Sequence, residues 1–167
     1  LSLHPPQPLW VKQGIDWHHR QELLMRNRTL DRYGLQQARR CFQCPLASES
    51  MAIHGIADLV LIAESEVIPV EFKQAPGRLN RGGQIQLTAY GMLAEQRFGL
   101  PFKRAFVIRG ERAKIECFPY TPEHRAMFDS ALAGLRLALD SPILPDSPAS
   151  LPQCGQCEYL NHCNDRF

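Results

Sequence analysis

The stretch VIPVEFKQ, residues 67–74, ends an apolar run with a carboxylate and an ammonium group. It predicts a strand because most of its residues are apolar and β-prone, namely Val67, Ile68, Val70 and Phe72. Glu71 and Lys73 lie two positions apart, so they share one face of that strand. Pro69 predicts a bulge or an edge position. Alone, the pair is equally consistent with an exposed ion pair worth under about 1 kcal/mol.

A second carboxylate lies upstream, at Asp58 in the stretch GIADLVLIA. If these two strands form a hairpin through AESE, residues 63–66, Asp58 and Glu71 approach each other. Two close carboxylates repel unless a cation lies between them, and Mg²⁺ or Mn²⁺ suits such oxygen ligands. A bound ion polarises a phosphoryl oxygen and activates water, and Lys73 can orient that water. The pattern therefore indicates a minimal metal-dependent phosphodiesterase site.

Further polar residues accompany this pattern. In QLTAY, Gln86 and Tyr90 lie four residues apart on one helix face, where both can hydrogen-bond phosphate or a catalytic group. The alternative for Tyr90 is simple packing with its hydroxyl at the surface. In WVKQGIDWHHRQ, residues 10–21, His18 or His19 can supply a neutral nitrogen to a metal, although a helical histidine is more often structural.

Length and composition predict one globular domain over residues 1–167, with 44% hydrophobic and 22% charged residues. No apolar run approaches a membrane span and no secretory segment is seen, so we expect a soluble cytoplasmic protein without a membrane partner. The core is expected over residues 10–140, followed by a linker and cysteine segment over residues 141–167. The elements alternate between helices and strands, which predicts a mixed α/β fold.

The predicted elements follow in chain order. They are a helix from Trp10 to about Arg32 ended by Gly34, extended segments over 40–62, the strand at 67–74, a helix over 83–99, strands at 103–110 and 113–120, and a helix over 121–140.

Arginines crowd the first quarter of the chain, although the net charge is only +2. They are Arg20, Arg26, Arg28, Arg32, Arg39 and Arg40. Such a stretch suits a phosphate backbone. Composition alone favours a solvated helix face instead.

Six cysteines are present: Cys41, Cys44, Cys117, Cys154, Cys157 and Cys163. The last three have C-x2-C-x5-C spacing, which predicts a bound zinc ion or iron–sulfur cluster in a reducing compartment. The fourth ligand stays open, because His162 adjoins Cys163 in an awkward position for chelation. Cys44 is expected in the core, and Cys117 is expected to be structural.

Taken in order, His18, GIAD, EFK, QLTAY and the terminal cysteines resemble the RecB-type nucleases of the PD-(D/E)xK superfamily. The cysteines sharpen the resemblance to the CRISPR-associated RecB-like exonuclease, the Cas-four family. This resemblance implies a restriction-endonuclease-like core with a C-terminal cysteine-bound iron–sulfur module. It covers nearly the whole chain, from about Trp10 to Cys163.

The resemblance also implies roles for individual residues. Mn²⁺ or Mg²⁺ would be held by His18, Asp58, Glu71 and the main-chain carbonyl of Phe72. The residues implied in catalysis are Asp58, Glu71, Lys73, Gln86 and Tyr90. A four-iron four-sulfur cluster would be held by Cys154, Cys157, Cys163 and an N-terminal cysteine. No cysteine precedes Cys41, so the fourth ligand is expected upstream of Leu1, with Zn²⁺ as the alternative centre.

Members of that family are DNA exonucleases, sometimes with endonuclease activity. The resemblance implies processing of spacer precursors, including single-stranded ends, together with the CRISPR integrase. Two alternatives stay open: a stand-alone repair or recombination nuclease, and a non-cleaving cysteine-stapled module that binds DNA or protein.

Overall fold

The computed structural model describes residues 9–75, 77–143, 147, 149–155, 157 and 160. The strands are β1 Arg39–Ser48, β2 Ile53–Ile62, β3 Val67–Lys73, β4 Arg104–Arg109 and β5 Lys114–Pro119. The helices are α1 Leu9–Asn27, α2 Arg81–Phe98, α3 Pro122–Asp140 and the short α4 Leu151–Cys154, with a 3₁₀ turn at Asp31–Tyr33.

The strands form one sheet in the order β1-β2-β3-β4-β5. Only β3 and β4 run parallel, and the other neighbours are antiparallel. A parallel pair needs a crossover connection, which α2 supplies between β3 and β4. The predicted mixed α/β class and the predicted hairpin between β2 and β3 are both confirmed.

Strand β3 lies at the centre of the sheet, so of the two alternatives for Pro69, a bulge or an edge, the edge is wrong. Every residue from Val67 to Phe72 is buried, as expected for a strand covered on both faces. The irregularity lies on the β4 side. Three residue steps separate Val67 from Val70, whereas four separate their partners Phe102 and Phe106. The extra residue opposite Pro69 interrupts the parallel ladder beside the position where the proline has no N–H to donate.

Two hydrophobic clusters cover the two faces of the sheet. On one face, Trp17 and Met25 of α1 pack with buried strand residues such as Leu59 and Phe72. On the other, Leu87 and Leu93 of α2 pack with residues such as Val107. Helices α1 and α2 therefore enclose β3 from opposite sides, and the residues at its end lie between them.

Helix α1 ends at Asn27, earlier than the predicted Arg32. Leu30 and Tyr33 are buried in the core, so the chain turns inward through the 3₁₀ turn instead of continuing the helix. Gly34 closes that turn with φ of 68° and donates its N–H to Asp31 O.

No helix in the described part of the chain combines the length and apolar character needed to cross a bilayer.

The cysteines of the sheet differ in burial. Cys44 is fully buried in β1, as predicted. Cys117 lies in a strand, as predicted, and is exposed on the outer strand β5. Helix α2 begins at Arg81, two residues before the predicted start, because the Asn80 side chain caps it by accepting the Gly83 N–H at 2.8 Å.

A glycine in α2 is required for packing. A Cβ at Gly91 would lie 2.1 Å from Cε1 of the Phe102 ring, inside the core. We expect Gly91→Ala to lower the free energy of unfolding by about 1–3 kcal/mol through overpacking. Gly134→Ala in α3 is the matched control, because nothing lies within 4 Å of its Cβ position. It should instead raise stability by about 0.5–1 kcal/mol. Urea unfolding compares the two, and equal effects would contradict this account.

Candidate active site

The two carboxylates of the predicted site meet at the open end of the β2–β3 hairpin. Leu59 pairs with Val70, and continuing that register by one residue sets Asp58 opposite Glu71. Asp58 Oδ2 accepts the main-chain N–H of Phe72 at 2.8 Å. This hydrogen bond replaces the regular ladder there and fixes the Asp58 carboxylate beside the end of β3.

Glu71 is a buried carboxylate, with only 4% of its surface exposed. Its Oε1 lies 2.7 Å from Lys73 Nζ. Burial raises the pKa of Glu71, the negative charge of Asp58 raises it further, and Lys73 opposes both effects. The alternative of an exposed surface ion pair is therefore wrong, because one partner is desolvated.

Lys73 also contacts α2. Its Nζ donates to Gln86 Oε1 at 3.3 Å, and Gln86 Nε2 donates to the Tyr90 hydroxyl at 3.3 Å. The predicted one-turn spacing of Gln86 and Tyr90 thus produces a chain of hydrogen bonds from Glu71 to Tyr90. Tyr90 is partly buried, not merely a surface hydroxyl.

The Tyr90 ring requires a glycine on the neighbouring strand. A Cβ at Gly55 of β2 would lie 2.9 Å from Tyr90 Cε1. A side chain at that position would push the ring away from Gln86. Sequence reasoning missed Gly55, although a glycine inside a strand signals close approach of another group.

His18 of α1 reaches the same site from the other face of the sheet. Its Nδ1 lies 3.5 Å from Asp58 Oδ1, and its ring meets the Phe72 ring edge-on at 6.0 Å. The hydrogen bond to Asp58 raises the pKa of His18, and burial opposes that rise. His19, the neighbouring candidate, is exposed.

A cavity of about 710 Å³ opens beside His18 and Asp58, and Gln43 and Gln74 also line it. Gln43 has φ of 44° and lies opposite Asp58, where the β1–β2 pairing skips one position. A left-handed glutamine inside a strand costs energy, and such strain concentrates at functional sites. Sequence reasoning missed both glutamines, because no pattern marks a left-handed glutamine, and Gln74 only follows the strand.

The described residues contain no group of three or more His, Cys, Asp or Glu side chains arranged to hold a metal ion. Glu71 is paired with Lys73, while Asp58 is bound by His18 and by the Phe72 N–H. The donor chemistry nevertheless fits a hard divalent cation, since it offers two carboxylates and an imidazole. A cation would also relieve the charge repulsion that raises the pKa of Glu71. The roles of these ligands, and of the Phe72 carbonyl, stay predictions.

The C-terminal cysteines are only partly described. Cys154 ends α4 and is partly buried, while Cys157 is exposed and donates its N–H to Cys154 O at 3.0 Å. The C-x2-C spacing therefore forms a single turn, and both residues are free thiols. Cys163 lies outside the described residues, so the iron–sulfur or zinc centre stays a prediction.

Comparisons with known proteins agree with this geometry. The family model of the PD-(D/E)XK nuclease superfamily matches residues 4–164. The CRISPR-associated exonuclease Cas4 of Francisella tularensis subsp. novicida (strain U112) is 37% identical over 166 residues, covering 99% of this chain and 84% of that protein. The crystal structure of SSO0001 superposes with a TM-score of 0.60, covering 95% of this chain and 72% of its own. At 15% identity, that likeness concerns the fold alone.

The His18–Asp58 contact predicts a pH dependence of stability in the absence of divalent ions. The pKa of His18 is raised in the folded protein above its ordinary value of 6.5. Between pH 6.5 and the folded-state pKa, the folded state therefore binds more protons than the unfolded state. The free energy of unfolding should fall as pH rises from 6.5 through the folded-state pKa. Urea unfolding with a chelator measures it. His18→Gln should remove this fall in the free energy of unfolding, and His19→Gln should retain it. Equal pH profiles for both variants would contradict the assignment to His18.

Proposed function

The chain belongs to the PD-(D/E)XK nuclease superfamily and to the family of the CRISPR-associated exonuclease Cas4, and we propose that this nuclease is a metal-dependent DNA exonuclease acting in CRISPR adaptation. The observation that carries the proposal is the buried Glu71 carboxylate, bound to Lys73 beside Asp58. A desolvated carboxylate that is paired with an ammonium group beside a second carboxylate suits phosphodiester hydrolysis better than it suits stability.

We infer that Asp58, Glu71 and His18 hold Mg²⁺ or Mn²⁺, with the Phe72 carbonyl as a further ligand. When bound, the ion supplies Lewis-acid polarisation of the phosphate and a water of lowered pKa. His18 must present a neutral nitrogen to bind a metal, so protons and the metal compete at that ring. The pH dependence of metal affinity therefore depends on the contact between His18 and Asp58.

Lys73 is proposed to orient the attacking water and to stabilise charge on the phosphate. Its ammonium group contacts Glu71 and Gln86, which restrict its position to the end of β3. Tyr90 acts through Gln86, since the Tyr90 hydroxyl accepts the Gln86 amide N–H. Gln86 and Tyr90 are thus assigned to positioning, and their polar groups can also contact the DNA strand.

The finer function we propose is trimming of spacer precursors, including their single-stranded ends, in concert with the CRISPR integrase. The support is the 37% identity, over 99% of this chain, to a protein described as a CRISPR-associated exonuclease. We propose that this takes place in the cytoplasm, where an integrase and its DNA would meet. Endonuclease activity on the same substrates is compatible with the same site.

We also propose that the segment 141–167 is a cysteine module attached to a nuclease core over 10–140. Cys154, Cys157 and Cys163 would ligate an iron–sulfur cluster, of the four-iron four-sulfur type, with Zn²⁺ as the alternative. The exposed thiol of Cys157, one turn from Cys154, suits ligation better than packing.

The central test is cleavage of single- and double-stranded DNA with and without Mn²⁺. Glu71→Gln and Lys73→Ala should each reduce the cleavage rate at least about a hundredfold, because each removes a charge from the reacting centre. DNA binding should survive in both variants. Gel-resolved cleavage time courses and fluorescence anisotropy measure the two properties.

Glu66→Gln is the matched control, because Glu66 pairs with Arg104 at 2.8 Å at the opposite end of the same hairpin. It should cleave like the wild type. Full cleavage by both site variants would overturn the assignment. Absence of cleavage by the wild type with Mn²⁺ would favour a non-cleaving binding module. Spacer acquisition in cells that is unaffected by either site variant would argue for a repair nuclease instead.

The proposed cluster predicts a visible absorption band in protein purified without oxygen. The Cys154→Ser, Cys157→Ser double variant should lose the band and its iron. Cys117→Ser should keep both, because Cys117 is an exposed thiol on the outer strand β5 and not part of the proposed ligand set. Optical spectra with iron and zinc analysis are the measurement. Stoichiometric zinc without iron would favour the alternative centre, and protein holding neither metal would overturn the proposal.

A further inference from the structure

Strand β1 is irregular at Gln43, directly opposite Asp58. These two residues form no pair in the ladder, although the residues on either side of them pair regularly. Gln43 has φ of 44°. Within the described ranges, the two other non-glycine residues with positive φ are Ala52 and Ala113, and both close hairpin turns through a main-chain hydrogen bond. Gln43 lies inside a strand, so no turn accounts for its conformation.

Packing of the neighbouring residues imposes this conformation. Phe42 packs against the cluster on the α1 face of the sheet, whereas Cys44 is buried in the cluster on the α2 face. Residues two apart in a regular strand share one face, so the chain must rotate between them, at Gln43. Strand β2 changes face at the same level, because Ala57 belongs to the cluster on the α2 face and Leu59 to the cluster on the α1 face. The core on both faces therefore holds the strained backbone in place.

The Gln43 side chain contributes nothing to this packing. It is exposed, and no described residue forms a hydrogen bond with its carboxamide. A glycine would adopt the same φ without a clash at Cβ, so a glutamine costs stability at this position. A polar side chain that costs stability and has no partner among the described residues is expected where function requires it.

Gln43 lines the same cavity as the proposed cation ligands His18 and Asp58, a cavity of about 710 Å³. A divalent cation held there would take a phosphate oxygen as a further ligand, which leaves the other oxygens of that phosphate free to accept hydrogen bonds. The Gln43 carboxamide offers two N–H donors. Because the amide is neutral, it can donate to phosphate without forming an ion pair with Asp58, as a lysine or arginine at that position would.

We propose that Gln43 is a substrate-binding residue whose carboxamide donates a hydrogen bond to the phosphate at which the DNA strand is cleaved. Strand β2, which carries Asp58, lies between β1 and β3, so Gln43 and Lys73 approach the phosphate from the two strands that flank Asp58. The proposal rests on the proposed nuclease function and adds a residue of β1 to its substrate site. Gln43 would fix the phosphate and leave the binding of the cation to His18, Asp58 and Glu71.

The test compares Gln43→Gly and Gln43→Met with the control Ala52→Gly. Gln43→Gly removes the amide and the strain, whereas Gln43→Met removes the amide from a side chain of similar length and keeps the strain. Ala52→Gly removes strain alone, at an exposed position in the β1–β2 turn with φ of 49°.

Both Gln43 variants should slow Mn²⁺-dependent cleavage of single-stranded DNA by about tenfold to a hundredfold, because a hydrogen bond to a charged group is lost. Ala52→Gly should cleave like the wild type. The urea midpoint should be higher for Gln43→Gly than for Gln43→Met, although the two variants lose cleavage equally. The Mn²⁺ concentration that gives half-maximal cleavage should not change, because the amide does not bind the cation.

Binding is measured apart from cleavage, by fluorescence anisotropy with a labelled oligothymidylate. Ca²⁺ replaces Mn²⁺, so that binding is followed without Mn²⁺-dependent cleavage. Both Gln43 variants should bind roughly tenfold more weakly than the wild type. Their salt slope should match that of the wild type, because a neutral donor releases no counterions. If the wild type binds the oligothymidylate but never cleaves it, the proposed function fails, while the binding comparison still tests the Gln43 contact.

Wild-type affinity in Gln43→Met would overturn the proposal, because the amide would then be dispensable. A loss in Gln43→Gly alone would also overturn it, since the backbone conformation and not the amide would be responsible. Equal losses in Ala52→Gly would do the same. A raised Mn²⁺ requirement in both Gln43 variants would replace the phosphate contact by a role in positioning Asp58.

Discussion

Burial of the Glu71 carboxylate at the end of the central strand constrains the surrounding structure. A desolvated carboxylate beside a second carboxylate is costly unless positive charge lies close, and Lys73 supplies that charge at 2.7 Å. Lys73 in turn needs a fixed position, which Gln86 provides from α2. The α2 crossover between β3 and β4 therefore brings the polar face of one helix to the end of the strand that carries both charges.

The second carboxylate explains the arrangement on the other face of the sheet. Asp58 accepts the Phe72 N–H and approaches His18, so α1 and β3 are joined through one side chain. The ladder between β1 and β2 skips a position there, and Gln43 adopts a left-handed conformation. Regular strand pairing is lost where the polar groups are concentrated, as expected because irregular and strained backbone concentrates at functional sites.

Local signals predicted much of this arrangement. Period two in VIPVEFKQ and period 3.6 in QLTAY predicted that Glu71 and Lys73, and Gln86 and Tyr90, would lie side by side. Tertiary context decided what these patterns left open. The central strand β3 accommodates Pro69 because the extra residue lies in the facing segment. Helix α1 ends early because Leu30 and Tyr33 are buried. A glycine inside a strand could have marked Gly55, but its contact with the Tyr90 ring depends on how α2 packs on β2. No sequence signal marks the strained Gln43.

The first quarter of the chain serves the site through α1, and composition alone did not reveal this. His18 lies on α1, which packs against the sheet and brings the imidazole to Asp58. The arginines that follow lie beyond the end of α1, so a solvated helix face does not account for Arg28, Arg32 and Arg40. Because the buried residues Leu30 and Tyr33 turn the chain back toward β1, the Arg40 guanidinium reaches the main-chain oxygen of Arg28. The packing that ends the helix thus also ties the start of β1 to the end of α1.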